Sequence, residues 1–187
     1  MKPIIFCYLR TASRFLTKNF FTKTGIVLDK THNHLADISG RISIGLVRNP
    51  QDSIASCLSQ GDHFGLINED LNKEIFEQAS VYIAIYKKML READIIFPYD
   101  YLINNVDNVV EKISEVSGIE ITAQEKQKDQ NLDMVSGAVS YLSSSKKHEG
   151  YQKIYDAVMS ADLKEAENVY KMALDSNLMF NQQSAIP

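Results

Sequence analysis

PIIFCYLRTASRFLTKNFF, from Pro3 to Phe21, decides how the rest of the chain is read, because a short apolar run breaks off into small, hydroxylated and basic residues. Ile4 to Tyr8 suit a strand covered on both faces, and the residues after it suit a turn and then a helix. Thr11, Ala12 and Ser13 are small enough for a bound group to approach the backbone. The first N–H groups of a helix lack internal partners and carry partial positive charge, so an anion is favoured at this end. Arg10, Ser13, Arg14 and Lys18 add cationic and hydroxyl donors. The plainer alternative is an ordinary strand and helix with exposed basic residues.

Outward from this stretch, 187 residues with 44% apolar content suffice for one sizeable core, so a single domain over 1–187 is expected. The first fifty residues hold eight Lys and Arg against two Asp, which places an anionic ligand in the N-terminal part. A formal net charge of -4 argues against a nonspecific nucleic-acid binder. Cys7 and Cys57 fall in a predicted strand and a predicted helix, which points to two buried thiols in a reducing compartment and not to a disulfide framework. The initial apolar run is too short for a secretory signal, and no stretch approaches the roughly 18 apolar residues of a membrane span. A soluble, cytoplasmic protein without a membrane partner is expected.

Gly25 to Leu28 is the second strand candidate, followed by a polar turn from Asp29 to His34. Ile42 to Val47 is the third, and it runs into Arg48, Asn49 and Pro50. Pro50 at a first helical position with Asn49 as cap predicts a helix to about Leu58. A loop follows over Gln60 to Gly65. Leu71, Ile75, Ala79, Tyr82, Ile83, Tyr86 and Leu90 then mark a long amphipathic helix from Asn68 to Glu92. Asp94 to Tyr99 is the fourth strand candidate, closed by Pro98, and a helix from about Asn105 to Ser117 ends at Gly118. Residues 122–147, with the run SSSKK at 143–147, read as a mobile loop. Glu149 to Asn177 reads as two helices parted near Ser160 to Asp162, with Asp162 and Glu165 at capping-box spacing. These helices are expected to pack on the sheet, and the tail from Asn181 is expected to fray.

Strands alternating with helices argue for α/β architecture: three layers, α/β/α, around a parallel sheet of about four to five strands, with a helical C-terminus. Residues 1–121 form the core, 122–147 the loop and 148–180 the C-terminal helices. Ligands of such sheets sit beyond the strand C-termini, where the polar junctions fall. No GxxxxGK[ST] run is present, which ranks a nucleotide kinase low. His32 and His34 lack a nearby Cys or carboxylate to complete a tetrahedral set, so no metal is expected.

Three junctions resemble those of cytosolic sulfotransferases, which take a sulfuryl group from 3′-phosphoadenosine 5′-phosphosulfate (PAPS). That family's Pro-Lys-Ser-Gly-Thr-Thr-Trp motif is matched, in relaxed form, by Leu9, Arg10, Thr11, Ala12, Ser13, Arg14 and Phe15. Its Lys-Thr-His motif is matched by Lys30, Thr31 and His32. Its Val-x-Arg-Asn-Pro-Lys-Asp motif with a following serine is matched by LVRNPQDSIAS, Leu46 to Ser56, and PYDYL at Tyr99 is similar to its Tyr-Glu-Asp-Leu. The resemblance covers Pro3 to Ile121 and implies a P-loop-like fold.

As roles, it implies that Arg10, Thr11, Ala12, Ser13 and Arg14 hold the 5′-phosphosulfate and that Arg48 and Ser56 hold the 3′-phosphate. Phe15 stands where the family stacks an aromatic on adenine, or else is a core aromatic. His32 would take the acceptor's proton, while Lys30 and Arg10 steady the bridging oxygen; His34 is the competing base. The acceptor would be a small molecule, a glycan or a peptide. Ala12 replaces the family's glycine, and Arg10 its lysine. Lys30 follows Phe15 by fifteen positions, fewer than the family places there, so the acceptor pocket is shortened. For the family's late Arg-Lys-Gly segment, Lys146, Lys147 and Gly150 are a substitute. The rival reading is a noncatalytic module that binds a nucleotide or a protein partner.

Overall fold

The computed structural model describes residues 3–63, 70–122 and 150–180. Its centre is a parallel sheet of four strands in the order β2-β1-β3-β4: β1 is Ile4–Cys7, β2 Asp29–Thr31, β3 Ser43–Val47 and β4 Ile95–Pro98. Every residue of β1 and β3 is buried, so both faces of the central strands are covered. This is why they read as unbroken apolar runs.

The helices are α1 (Ser13–Thr24), α2 (Pro50–His63), α3 (Leu71–Glu92), α4 (Tyr99–Asn104), α5 (Val106–Ser117), α6 (Tyr151–Ser160) and α7 (Lys164–Leu174). α1 packs on α5, while α2, α3, α6 and α7 pack on one another, an arrangement compatible with three layers. Among the described residues no helix is long and apolar enough to cross a membrane.

β2 departs from expectation. The apolar run Gly25 to Leu28 is not the strand: Gly25 closes α1 in the left-handed region at φ 69°, its N–H donating to the Phe21 carbonyl at 2.8 Å. The polar residues Asp29 to Thr31, expected as a turn, form β2 instead, Ile4 standing beside Asp29 and Phe6 beside Thr31. An ion pair makes this possible. Arg41 meets Asp29 at 2.6 Å and also donates to the Pro3 carbonyl at 3.3 Å, so the strand is pinned to the start of β1 without apolar burial.

Elsewhere the caps do much of the work. Asn49 Oδ1 accepts from the Asp52 N–H at 3.3 Å, and Asp70 Oδ1 from the Lys73 N–H at 3.1 Å. α2 runs on to His63, past the expected end at Leu58, and absorbs the start of the expected loop. The inner face of α3 is Ile75, Ala79, Tyr82, Ile85, Tyr86 and Met89. Ile83 and Leu90, expected on that face, are only partly buried beside it. α4 was not expected; it follows directly from Pro98. Asp162, expected as the cap of α7, lies one residue too early: the N-cap is Leu163, without a side-chain bond, while Asp162 accepts from the Lys164 N–H at 3.3 Å and Glu165 pairs with Lys87 at 2.7 Å instead of closing a capping box. Residues 123–147 of the expected loop, with the 143–147 run and Lys146 and Lys147, lie outside the described residues, as does the tail from Asn181.

Gly45, in β3, faces Met89 of α3. A Cβ there would stand 2.7 Å from Met89 Sδ, 2.8 Å from Met89 Cγ and 3.0 Å from Ile96 Cγ1.

The C-terminal helices do pack on the core, and the segment after α7 joins the sheet. Ile96 N–H donates to the Leu178 carbonyl at 2.8 Å and Phe180 N–H to the Ile96 carbonyl at 2.9 Å, a parallel bridge centred on Met179. Phe180 lies against Phe97 and Tyr101, with ring centroids 5.4 and 5.5 Å away. Phe180→Ala removes both contacts from a half-buried ring and should cost about 1–2 kcal/mol, lowering the melting temperature by roughly 2–4 °C per kcal/mol in a thermal melt. An unchanged melt would mean that this segment holds nothing in place.

Candidate functional site

The turn between β1 and α1 has the most unusual backbone among the described residues. Arg10 and Ala12 are its two non-glycine residues with positive φ among those described, at 66° and 65°. Such a conformation costs an L-residue about 1–2 kcal/mol and persists only where surrounding structure enforces it. Two contacts enforce it here. Thr11, fully buried, donates from Oγ1 to the Tyr8 carbonyl at 2.7 Å. Arg48 donates from Nη1 to the Arg10 carbonyl at 2.9 Å. Alternation of hand along 10–12 turns successive N–H groups into a concavity of the kind that holds anions, directly before the first turn of α1, which carries no acidic residue.

The concavity opens into a cleft of about 190 Å³ lined by Leu9, Arg10, Ala12, Ser13 and Arg14 from the turn, Lys30 and His32 from β2 and its exit, and Gln60 from α2. Four of these eight are basic or imidazole side chains, and none is a carboxylate. Burial lowers the Lys30 ammonium from its usual range, with the Arg14 charge adding to the effect. It lowers the Arg10 guanidinium too, helped by Arg48 and Arg14. Crowded cations of this kind are stabilised by a bound anion.

His32 is set for one role. Nδ1 lies 2.9 Å from the Cys7 carbonyl, which can only accept, so Nδ1 carries the hydrogen and Nε2 keeps its lone pair. Burial pushes the imidazole below 6.5, outweighing the Cys7 hydrogen bond that raises it, and Lys30 and Arg14 push the same way. At neutral pH the ring is therefore an uncharged base. Cys7 Sγ lies 3.6 Å from the same nitrogen, but burial raises that thiol to about 11, which leaves it protonated and unreactive. Cys57, expected buried, is only partly so.

Arg48 is held more firmly than any other cation in this region. Its backbone N–H donates to Tyr86 Oη at 2.7 Å, while Tyr82 and Tyr86 hydroxyls lie 2.6 and 2.9 Å from its carbonyl. The guanidinium stands over the Tyr99 ring, 4.3 Å from the centroid, and the residue is 6% exposed. Its Nε is buried without a hydrogen-bond partner. Arg10 reaches in the opposite direction, to Ser56 Oγ from Nε and to Gln60 Oε1 from Nη1, both at 3.2 Å.

The structure thus brings together Arg10, Ala12, Ser13, Arg14, Lys30 and His32 at one cleft, with Thr11 inside the turn and Ser56 and Arg48 behind it. Phe15 is partly buried and packs on the core. His34 is half-buried, and the cleft is lined by His32. Gln60 was missed because it fell in an expected loop; its signal is the four-residue step from Ser56 along a helix. Tyr82 and Tyr86, the same step apart, were seen only as core. Among the described residues no three His, Cys, Asp or Glu side chains gather as a metal site would need.

Compared with known proteins, the chain matches no family model, and neither a curated protein nor a solved structure matches it.

Proposed function

We propose that this protein is a sulfotransferase of P-loop-like fold that binds PAPS in the cleft and passes its sulfuryl group to a hydroxyl or amine. The observation that carries this reading is the meeting, in one cleft, of a carboxylate-free cationic wall at a helix N-terminus and a neutral imidazole with Nε2 available. A phosphosulfate needs the first and its acceptor needs the second. Residues 10–14 cradle the 5′-phosphosulfate, and the Arg10 guanidinium, hydrogen-bonded to Ser56, carries positive charge toward the 3′-phosphate. The acceptor oxygen or nitrogen bonds to sulfur as the bond from sulfur to the bridging oxygen breaks. Its proton passes to His32 Nε2, and the electron pair stays on the 5′-phosphate. Lys30 and Arg10 counter that charge. Positioning and electrostatics supply most of the acceleration, as in phosphoryl transfer. Two free thiols suit a reducing, cytoplasmic setting.

Titration calorimetry with 3′-phosphoadenosine 5′-phosphate set against ATP at matched salt tests it. The bisphosphate should bind at least about tenfold more tightly, a difference of about 1.4 kcal/mol. Preference for ATP would favour a nucleotide kinase, and binding of neither would favour the interaction module.

A further inference from the structure

The buried guanidinium of Arg48 sits behind the cleft, not in its wall. Its Nη1 donates to the Arg10 carbonyl, one face lies on Tyr99, and three backbone hydrogen bonds to Tyr82 and Tyr86 fix the residue it belongs to. At 6% exposure it has little surface to offer a ligand. What it touches is a peptide group in a costly conformation. The peptide after Arg10 is trans, so its C=O and N–H point in opposite directions. A cation drawing the Arg10 carbonyl inward therefore turns the Thr11 N–H away from itself, between two residues that line the cleft.

We infer that Arg48 is a positioning residue: through the Arg10 carbonyl it holds the left-handed turn and aims the Thr11 amide at the bound anion, and it does not touch the ligand. The inference rests on the reading above only for the name of the ligand. It changes what the LVRNP run does in this chain. The arginine's contribution becomes independent of whether the ligand carries a 3′-phosphate, because that phosphate and the guanidinium never meet. A charge-assisted hydrogen bond of this kind, once lost, also leaves the strained residue at φ 66° free to relax.

Three ligands measured by calorimetry on the full chain decide it: inorganic pyrophosphate, adenosine 5′-phosphate and 3′-phosphoadenosine 5′-phosphate. Arg48→Met should weaken all three by the same factor, about tenfold or more, leaving the ratio between the two adenosine compounds unchanged. Arg48→Lys, which keeps one donor within reach of the carbonyl, should recover part of the loss for all three alike. A ratio that falls toward one overturns the inference, since that is the mark of an arginine on the 3′-phosphate. Unchanged affinities overturn it as well.

If Arg48→Met does not fold, the wild type still decides. Addition of pyrophosphate should shift the Thr11 amide among the largest changes in a ¹H–¹⁵N spectrum, and an unmoved Thr11 amide refutes the assignment. A wild type that binds pyrophosphate but does not distinguish the adenosine compounds would sink the PAPS reading, while the Arg48 dependence of pyrophosphate binding continues to test this one. A wild type that binds none of the three sinks both.

Discussion

Replacing His32 with alanine should lower the rate of sulfuryl transfer by about 10²–10⁴-fold while leaving donor affinity within a small factor of the parent. The expectation follows from the division of labour at the cleft. On the proposed reading, the anion is held by the turn and the cations, and the imidazole contributes a lone pair on Nε2. Its other nitrogen is committed to the Cys7 carbonyl. His32→Gln makes the sharper comparison, because a glutamine amide can still donate to that carbonyl but cannot take a proton. If Gln restores the rate, His32 holds the chain in place and the base lies elsewhere.

The pH profile gives the same test in the intact protein. Only the unprotonated ring accepts a proton, so kcat/KM falls as pH drops through the His32 pKa. Since burial depresses that pKa, the acid limb should lie below 6.5. If Lys30 acts as the proposed cation, a basic limb should appear as it loses its proton, below 10.5. An acid limb that persists in His32→Gln would assign it to another group.

Gly45→Ala should be the most damaging single methyl addition in the sheet. The new Cβ would meet Met89 at 2.7 and 2.8 Å and Ile96 at 3.0 Å, closer than Cβ atoms ordinarily come to their neighbours. Met89 and Ile96 are fully buried, so neither can swing into solvent. Overpacking of this kind costs about 1–3 kcal/mol. In a protein of this size that lowers the melting temperature by roughly 2–4 °C per kcal/mol. The double variant Gly45→Ala/Met89→Ala separates the cause from a general weakness of β3. If the Met89 contact is responsible, the two losses add to less than their sum. Full additivity would place the strain elsewhere, and an undiminished melt in the single variant would show that Met89 repacks freely.

What could be read from the residues and what could not divides along physical lines. β1, β3 and β4 were legible because strands buried on both faces leave an uninterrupted apolar run. β2 was not, because its hold on the sheet is an ion pair between Asp29 and Arg41, and hydropathy is blind to that. The caps at Asn49 and Gly118 were legible since capping depends on local chemistry. α4 was not, as six residues after a proline are too few to show a period.

At the cleft, the residue types and their order placed Arg10, Ser13, Lys30 and His32 correctly near one strand edge. The direction of a side chain was beyond reach. LVRNP marks where Arg48 lies, but the groups that fix it are distant in sequence: Tyr82 and Tyr86 on its backbone, Tyr99 and the Arg10 carbonyl on its guanidinium. Positive φ at Arg10 and Ala12 was hidden as well: neither is glycine, and the Arg10 carbonyl is held by Arg48 from across the fold.

The bridge from Met179 to Ile96 bears on how the protein is made. The outer rim of β4 is completed by Leu178 to Phe180, far downstream of the strand they join, so a ribosome that has delivered the four strands has not yet delivered this pairing. Until that downstream segment emerges, the Ile96 N–H and C=O stand open to any neighbouring nascent chain, and a product stalled or clipped before it keeps a sticky border that the folded molecule conceals.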